Sequence, residues 1–292
     1  MPRLFERVAI AGVGLIGGSL ALAARAAGLV GEVVGCGRSA ANLETALQRG
    51  MIDRYTNDIA QAVRDADFVL MAVPVRSTAD VVRACAPALQ RGVVVSDVGS
   101  VKSSVIEEVE AVLPPGVAFV GAHPIAGTEA SGAAAADAEL FHGSRCILTP
   151  SASSTPDAVA KLRALWEGVG AVVETMEATR HDEILAWVSH LPHAIAFSVM
   201  NALLANDAGA AHYAGPSFRG LTRVAASSAE MWRDIFLTNA TSLEHAIRGF
   251  SAALEELRQA LASGDSEKIS KLLEEACGAH SEWRKESAGS AP

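Results

Sequence analysis

Short runs of consecutive apolar residues alternate with longer amphipathic segments from Arg7 to about Glu174. The apolar runs predict strands at residues 8–11, 33–36, 68–72, 93–97, 119–122 and 146–148. Between them, residues 19–27, 40–49, 77–89 and 101–112 carry apolar side chains at steps of three and four, which is typical of helices. A repeated strand–helix order predicts a parallel sheet with helices on both faces, and the apolar strands should be buried on both sides.

A glycine-rich turn of sequence G-V-G-L-I-G follows the first predicted strand and opens the first helix. Gly12 permits the tight turn, Gly14 lets the backbone approach a pyrophosphate, and Gly17 lets the helix press against the sheet. The start of the helix, at Leu15 and Ile16, faces the anion. In this strand–turn–helix context the motif predicts a dinucleotide site formed by these five residues, and the domain is predicted to be of the α/β Rossmann type.

The second strand ends without the carboxylate that NAD-binding proteins place about 20 residues after the glycine motif. Gly37 occupies that position, and Arg38 and Ser39 follow it. A guanidinium and a hydroxyl group suit a 2′-phosphate, which a carboxylate would repel. We therefore predict that Arg38 and Ser39 favour NADP, with NAD as the alternative cofactor. In the competing interpretation Arg38 only caps a solvated loop.

Polar residues follow the later strands of the predicted sheet. Val73 and Pro74 come directly after the third strand and are placed to line a nicotinamide pocket. Ser100 follows the fourth strand, and His123 and Thr128 follow the fifth. Because the carboxyl ends of parallel strands meet at one edge of the sheet, we expect these residues to converge in a catalytic arrangement.

Beyond residue 177 the strand pattern stops, and residues 179–204 predict one long helix that Pro192 should kink. Asp182, Ser189 and His193 share one face of it, and His190 lies beside His193. A polar strip on an apolar helix indicates function more than core packing. No third ligand at a suitable spacing accompanies the two histidines, so we predict no metal.

Residues 217–227 look like a loop that contains Arg223, and a helix opens at residues 230–234, around Trp232. Amphipathic helices are predicted at residues 240–262 and 266–280. Apolar helical regions of this kind commonly pack against a second copy, so a homodimer is expected. We predict a dinucleotide-binding domain at residues 1–177 and a helical substrate and dimerisation domain at residues 178–292.

The composition of the 292 residues limits the function classes. A formal net charge of -9 argues against binding to nucleic-acid phosphates. The four cysteines are scattered without ligand spacing, which indicates a reducing compartment and therefore the cytoplasm. Residues 8–24 are uncharged, as a signal peptide or membrane anchor would be, but their glycines are poor for an apolar helix. We expect no membrane partner.

Six segments of the chain form a recognisable set. They are Gly12-Val-Gly-Leu-Ile-Gly-Gly-Ser19, Asp97-Val-Gly-Ser-Val-Lys102, His123-Pro-Ile-Ala-Gly-Thr-Glu129, Ser189-His-Leu-Pro-His193, Phe218-Arg-Gly-Leu-Thr-Arg223 and Met231-Trp-Arg-Asp234. They resemble the motifs of the prephenate dehydrogenase family, occur in the family's order and span nearly the whole chain. The resemblance implies a Rossmann domain followed by an all-α dimerisation domain. It also implies oxidative decarboxylation of prephenate to 4-hydroxyphenylpyruvate, or of arogenate to tyrosine, with hydride transfer to NAD(P).

The resemblance implies roles for individual residues. His123 would act as the general base toward the ring hydroxyl of the substrate, and Ser100 would orient His123 and touch the nicotinamide. Arg223 would pair with a substrate carboxylate. Gly37 departs from the family pattern, because many relatives have an aspartate there. The remaining residues would line the pocket on its substrate side (Thr128, Ser189, His193), on its cofactor side (His190) or at its entrance (Asp182, Trp232).

Two other classes of protein fit part of this pattern. A β-hydroxyacid dehydrogenase or imine reductase also places helices after a Rossmann domain, but the first group relies on a lysine that residues 179–204 lack. A non-catalytic NADP-binding regulatory protein would keep the glycine turn without needing His123, Ser100 and Arg223 together. The sequence leaves open the choice between prephenate and arogenate, and whether tyrosine inhibits.

Overall fold

The structure is a computed structural model that describes residues 3–128 and 130–289, with side chains described as far as residue 286. Its internal contacts divide the chain into two compact units, Met1–Ala240 and Thr241–Pro292. The first unit contains the sheet and most of the helices. The second consists of two long helices of 24 residues each, Ala240–Ser263 and Ser266–Gly289. Only Ala240, the first residue of the first helix, is counted with the first unit.

One eight-stranded sheet, in the order β3-β2-β1-β4-β5-β6-β7-β8, forms the centre of the first unit. The strand order reverses between β1 and β4, where proteins of this fold bind their ligands at the carboxyl ends of the strands. Every pair of neighbouring strands is parallel except β6 and β7. The strands are β1 (Phe5–Ala11), β2 (Val30–Cys36), β3 (Arg54–Thr56), β4 (Phe68–Met71), β5 (Val94–Asp97), β6 (Ala118–Pro124), β7 (Arg145–Pro150) and β8 (Val172–Thr175).

Helices connect most of the strands and predominate after β8. The first six are α1 (Leu15–Ala26), α2 (Ala40–Gln48), α3 (Ile59–Ala62), α4 (Thr78–Cys85), α5 (Ser103–Glu110) and α6 (Pro156–Gly168). The others are α7 (Ala178–Leu185), α8 (Leu191–Asp207), α9 (Pro216–Thr222), α10 (Ala229–Thr238), α11 (Ala240–Ser263) and α12 (Ser266–Gly289).

The sequence pattern identified the six strands with apolar character, and the predicted fold class is confirmed. The strands β3 and β8 were not predicted, because both lie at sheet edges and expose much of their surface. The prediction of a loop at residues 217–227 was wrong. Pro216 opens α9 at the first helical position, where its missing N–H costs nothing, and a short 3-10 helix, Arg223–Ala226, follows.

The predicted long helix runs without a break from Ala178 to Asp207 but changes its winding. Between α7 and α8 lies a π-helical segment, Ala186–His190, which ends two residues before Pro192. A π turn inserts one extra residue and so shifts the helix face that follows it. The whole helical stretch Ala178–Tyr213 is long and apolar enough to cross a bilayer by length and composition alone, a test that core helices of soluble proteins also pass.

Candidate active site at the carboxyl edge of the sheet

The glycine turn after β1 has the geometry that a dinucleotide site requires. Gly12 has a φ of +93°, and a Cβ atom there would lie 2.2 Å from the carbonyl oxygen of Ala72. A Cβ on Gly17 would lie 2.4 Å from the carbonyl oxygen of Gly12. Next to Gly14 the space is open, and no side chain caps the N-terminus of α1. The turn therefore offers free backbone N–H groups and room for a phosphate, at Leu15 and Ile16.

Asn42 fixes this turn from α2. Its side-chain nitrogen donates a 2.7 Å hydrogen bond to the carbonyl of Val13, and its oxygen accepts a 2.8 Å bond from the backbone of Ala133. The segment that follows β6 is thereby tied to the glycine turn. The sequence offered no signal for this contact, because it joins residues far apart in the chain.

The residues predicted to bind the 2′-phosphate of NADP, Arg38 and Ser39, follow the end of β2. Ser39 is the N-cap of α2, and its hydroxyl accepts the backbone N–H of Asn42 at 3.3 Å. Arg38 is exposed and makes no hydrogen bond or ion pair with the residues that the structure describes. A Cβ on Gly37 would meet only Leu43, at 3.5 Å, so a side chain fits at this position. The guanidinium of Arg38 is thus available to a ligand.

A buried ion pair supports the end of β6. The Lys102 ammonium pairs with the Asp97 carboxylate, and both side chains are inaccessible to solvent. Lys102 also donates a 2.9 Å hydrogen bond to the carbonyl of Ala122, while Asp97 accepts the N–H of Ala122 at 3.2 Å. Both backbone groups of the residue before His123 are therefore held by this pair.

His123 lies in β6 at the carboxyl edge and is 8% exposed. Its Nδ1 atom is 2.8 Å from Nε2 of His181. Burial, followed by the nearby His181, Lys102 and His190, holds the pKa of His123 well below its usual value of 6.5. A neutral imidazole in this position is able to accept a proton.

His181 was missed by the sequence analysis although it is fully buried next to His123. Its Nδ1 atom lies 2.8 Å from Oδ1 of Asp182. Asp182 also accepts the backbone N–H groups of Lys102 and Ser103, each at 2.8 Å. Burial alone would raise the pKa of Asp182, but these hydrogen bonds hold it below its usual value. The sequence signal that could have identified His181 is its position directly before Asp182 on a predicted helix.

His190 lies on the same side of the helix as Asp182 and is also fully buried. The side-chain amide of Asn239 donates to the carbonyl of Asp182 at 2.8 Å and to Nδ1 of His190 at 3.1 Å. Nε2 of His190 therefore carries the proton, and it has no hydrogen-bond partner among the described residues. Burial lowers the pKa of His190 to about 4, against the opposing charge of Asp182.

His193 stacks on Trp232 with ring centroids 3.5 Å apart and planes 21° apart. Its Nδ1 atom is 2.9 Å from the carbonyl oxygen of Ser189. Burial lowers the pKa of His193, and the nearby positive charge of Arg223 lowers it further. The 3-10 helix that opens at Arg223 thus brings a guanidinium beside this aromatic pair.

The remaining predicted residues lie at the border of this centre. The backbone of Ser100 is close enough to His190 to favour its protonated form, and Val73 packs against the apolar cluster that contains Trp232. Ser100 is half-buried in the turn between β5 and α5 and makes no side-chain hydrogen bond with the described residues. Pro74 is exposed after β4, beside the half-buried Val73. Thr128 is exposed, and Glu129 of the same motif lies outside the described residues. The roles expected for these residues stay predictions.

The fold and the site define a dehydrogenase that uses a nicotinamide dinucleotide. The family model described as the prephenate dehydrogenase nucleotide-binding domain matches residues 20–175, and the prephenate dehydrogenase dimerisation domain matches residues 177–275. The chain belongs to the prephenate dehydrogenase family, as the motifs indicated. The family level of the predicted function, oxidative decarboxylation in tyrosine biosynthesis, is confirmed, and the alternative enzyme and regulatory classes are not favoured.

Individual relatives cover nearly the whole chain. A cyclohexadienyl dehydrogenase of Zymomonas mobilis is 40% identical over 93% of this chain and 94% of its own. A prephenate dehydrogenase from A. aeolicus, solved with hydroxyphenyl propionate and NAD+, is 34% identical with a TM-score of 0.89, over 95% of this chain and 98% of its own. An arogenate dehydrogenase from Synechocystis is 26% identical with a TM-score of 0.81, over 95% and 99%.

Proposed function

We propose that this chain oxidatively decarboxylates prephenate to 4-hydroxyphenylpyruvate, arogenate to tyrosine, or both, with NADP as the preferred hydride acceptor. The observation that carries the proposal is His123, buried and held neutral at the carboxyl edge of a dinucleotide-binding sheet. The relatives named as prephenate, cyclohexadienyl and arogenate dehydrogenases support this substrate class.

His123 is the general base of the proposed reaction. Burial and the nearby Lys102 disfavour an imidazolium, so the ring keeps a lone pair at the working pH. The backbone on its N-terminal side is fixed by the Lys102–Asp97 pair through Ala122. A fixed base of low pKa accepts the proton of the ring hydroxyl as the carbonyl forms, and gives it back to the phenolate oxygen once carbon dioxide has left.

The reaction needs one base and accurate alignment. The bound nicotinamide supplies the acceptor for the hydride that leaves ring carbon 4. The hydroxyl proton goes to His123, and carbon dioxide leaves carbon 1 with its bonding electrons retained by the ring. Aromatisation supplies the driving force, so the protein's task is to orient the substrate and accept one proton.

Arg223 is proposed to bind a substrate carboxylate. It lies close enough to His193 to lower the pKa of that ring, and His193 is itself stacked on Trp232. A guanidinium beside a flat aromatic pair suits an anionic six-membered ring. Ser189 and Thr128 are proposed to complete the substrate side, next to the buried Trp232 on which His193 stacks. Asp182 was expected at the entrance of the pocket, but its carboxylate is buried and acts behind His181.

NADP is preferred because of the end of β2. The exposed Arg38 has no partner among the described residues, and Gly37 leaves out the carboxylate that would repel a 2′-phosphate. The A. aeolicus relative was solved with NAD+, so cofactor choice is a property to be tested on this chain itself.

We also propose that the protein is a cytoplasmic homodimer. The match to a dimerisation domain over residues 177–275 supports the dimer. Exposed apolar side chains along the same region, among them Val188, Leu204 and Tyr213, are suited to a subunit interface. The described cysteines are all free thiols, as a reducing compartment requires.

The test is to follow formation of reduced cofactor by absorbance with prephenate and with arogenate, each with NADP and with NAD. We expect turnover with at least one of the two substrates and none with 3-hydroxyisobutyrate. Turnover of 3-hydroxyisobutyrate alone would mean that the substrate class is wrong. Parallel kinetics with the two cyclohexadienyl substrates decide between them.

A further inference from the structure

Three buried side chains form a continuous hydrogen-bonded chain behind the candidate base. Nδ1 of His123 is 2.8 Å from Nε2 of His181, and Nδ1 of His181 is 2.8 Å from Oδ1 of Asp182. The residues are 8%, 0% and 4% exposed, so water does not replace these partners. The proton positions in the chain therefore depend on one another.

Asp182 determines which atoms donate and which accept in these hydrogen bonds. Its carboxylate accepts the backbone N–H groups of Lys102 and Ser103, at 2.8 Å each. A carboxylate is acceptor-only, so Nδ1 of His181 must carry the proton of the third bond. A neutral His181 then has its lone pair on Nε2, facing His123.

We propose that His181 is a positioning residue that fixes the Nδ1–H tautomer of His123, a role that rests on the proposed function of His123 as the base. Because Nε2 of His181 accepts, Nδ1 of His123 must donate. The lone pair of His123 is thereby placed on Nε2, the ring nitrogen that is not bonded to His181. In the opposite tautomer Nε2 would carry a proton and could not act as a base.

The surroundings of the chain favour this direction. A doubly protonated His181 would donate from Nε2 and reverse the bond to His123, and it would put its charge against a ring at which burial and Lys102 already disfavour a positive charge. Among the described residues, the charged and titratable groups around the two rings are Lys102, Asp97, Asp182, His190 and the buried thiol of Cys146. Once His123 has taken the substrate proton, its Nδ1–H bond to His181 couples the new positive charge to the Asp182 carboxylate.

The tautomer is measurable without turnover. In the full-length protein labelled with 15N-histidine, long-range 1H–15N spectra separate protonated from unprotonated ring nitrogens, and the His123 signals are assigned by their loss in His123→Asn. We expect Nδ1–H, with unprotonated Nε2, at neutral pH. An Nε2–H tautomer or an imidazolium at His123 would overturn the proposal.

Variants of His181 test the same role by kinetics. His181→Gln keeps one acceptor and one donor at similar spacing, so kcat should fall only a few-fold. His181→Phe removes both nitrogens and should lower kcat about 10- to 100-fold, with little change in KM, and release the His123 tautomer preference. Equal kcat in wild type and His181→Phe, or an unchanged tautomer, would contradict the proposal.

Leu185→Val is the matched control for packing. Leu185 is buried one turn further along α7, and its apolar side chain makes no hydrogen bond to His123, His181 or Asp182. It should keep wild-type kcat, whereas a loss equal to that of His181→Phe would mean that the helix, not the hydrogen bond, matters. If His181→Phe does not fold, His181→Gln and the wild-type spectra still decide. Retained activity in His123→Asn would instead remove the base assignment and leave the tautomer result standing.

Discussion

The carboxylate of Asp182 accepts a 2.8 Å hydrogen bond from the backbone N–H of Ser103, the first residue of α5. The N-cap residue of α5 itself, Lys102, makes no side-chain hydrogen bond to the first turn of the helix. The N-terminus of a helix from the sheet region is therefore capped by a residue of α7, which the sequence analysis assigned to the other domain. This contact ties the start of α5 to α7.

Replacement of Asp182 by alanine should destabilise the protein. It would leave buried backbone N–H groups and the His181 ring without their acceptor, at a cost of roughly 3 kcal/mol or more in the free energy of unfolding. Denaturant unfolding measures this. The control is Asp157→Ala, since Asp157 is an exposed helix carboxylate paired with Lys161, and its removal should cost less than about 1 kcal/mol. Equal losses in the two variants would show that the cap contributes nothing.

The buried strands and the amphipathic helices could be predicted, because buried positions require apolar side chains and so leave apolar runs and helical periodicity in the sequence. Strand β8 was not predictable in this way, since it is largely exposed, and its place at the sheet edge depends on pairing with β7. The residues of the site also divide into those that the sequence predicted and those that it did not. His123 and the glycine turn stand in recognisable local motifs, whereas the partner of His123 is set by the packing of α7 on the sheet. His190 ends the π-helical segment and lies 3.1 Å from the side-chain amide of Asn239, and neither the change of winding nor this contact has a local signal in the sequence.

Cofactor preference should depend on two neighbouring positions. Arg38→Ala should raise the KM for NADP about tenfold or more while leaving that for NAD nearly unchanged, because one charge-assisted contact to the 2′-phosphate is lost. Gly37→Asp, which the structure accommodates, should shift the preference toward NAD by repelling the phosphate. Steady-state kinetics with both cofactors measure this.

Arg64→Ala is the control for the loss of a surface charge, because Arg64 is exposed and lies in a different loop. It should leave both KM values unchanged. A wild-type kcat/KM for NAD equal to or above that for NADP would show that the preference has been assigned the wrong way round.

The assembly should be a dimer whose stability depends on concentration. If the apolar surface of residues 177–275 packs against a second copy, sedimentation at micromolar protein should give twice the mass of the chain. The Tm should rise with protein concentration, because dissociation and unfolding are linked. A fully active monomer at micromolar concentration is the result that would exclude this arrangement.

Arg223 should be needed for substrate affinity. Replacing it by alanine removes the proposed guanidinium–carboxylate contact and should cost about 2 kcal/mol, seen mainly as a higher KM. Arg223→Lys should not restore binding, because an ammonium does not reproduce a bidentate fork. Arg219→Ala serves as the control, since Arg219 is an exposed arginine of α9 one turn away. The assignment fails if Arg223→Ala leaves KM unchanged for both prephenate and arogenate.

His123 should control both the rate and its dependence on pH. The base works only when neutral, so kcat/KM falls as pH drops through the pKa of His123 in the folded enzyme. Burial, His181, Lys102 and His190 hold that pKa well below 6.5, so activity should persist to lower pH than an ordinary imidazole would allow. His123→Asn keeps a hydrogen-bonding side chain and removes the base. It should lower kcat roughly 10²- to 10⁴-fold, change KM less, and abolish the acidic limb. His280→Asn, at an exposed histidine of α12, should change neither. A His123→Asn enzyme that retains the limb or most of kcat would show that another group takes the proton.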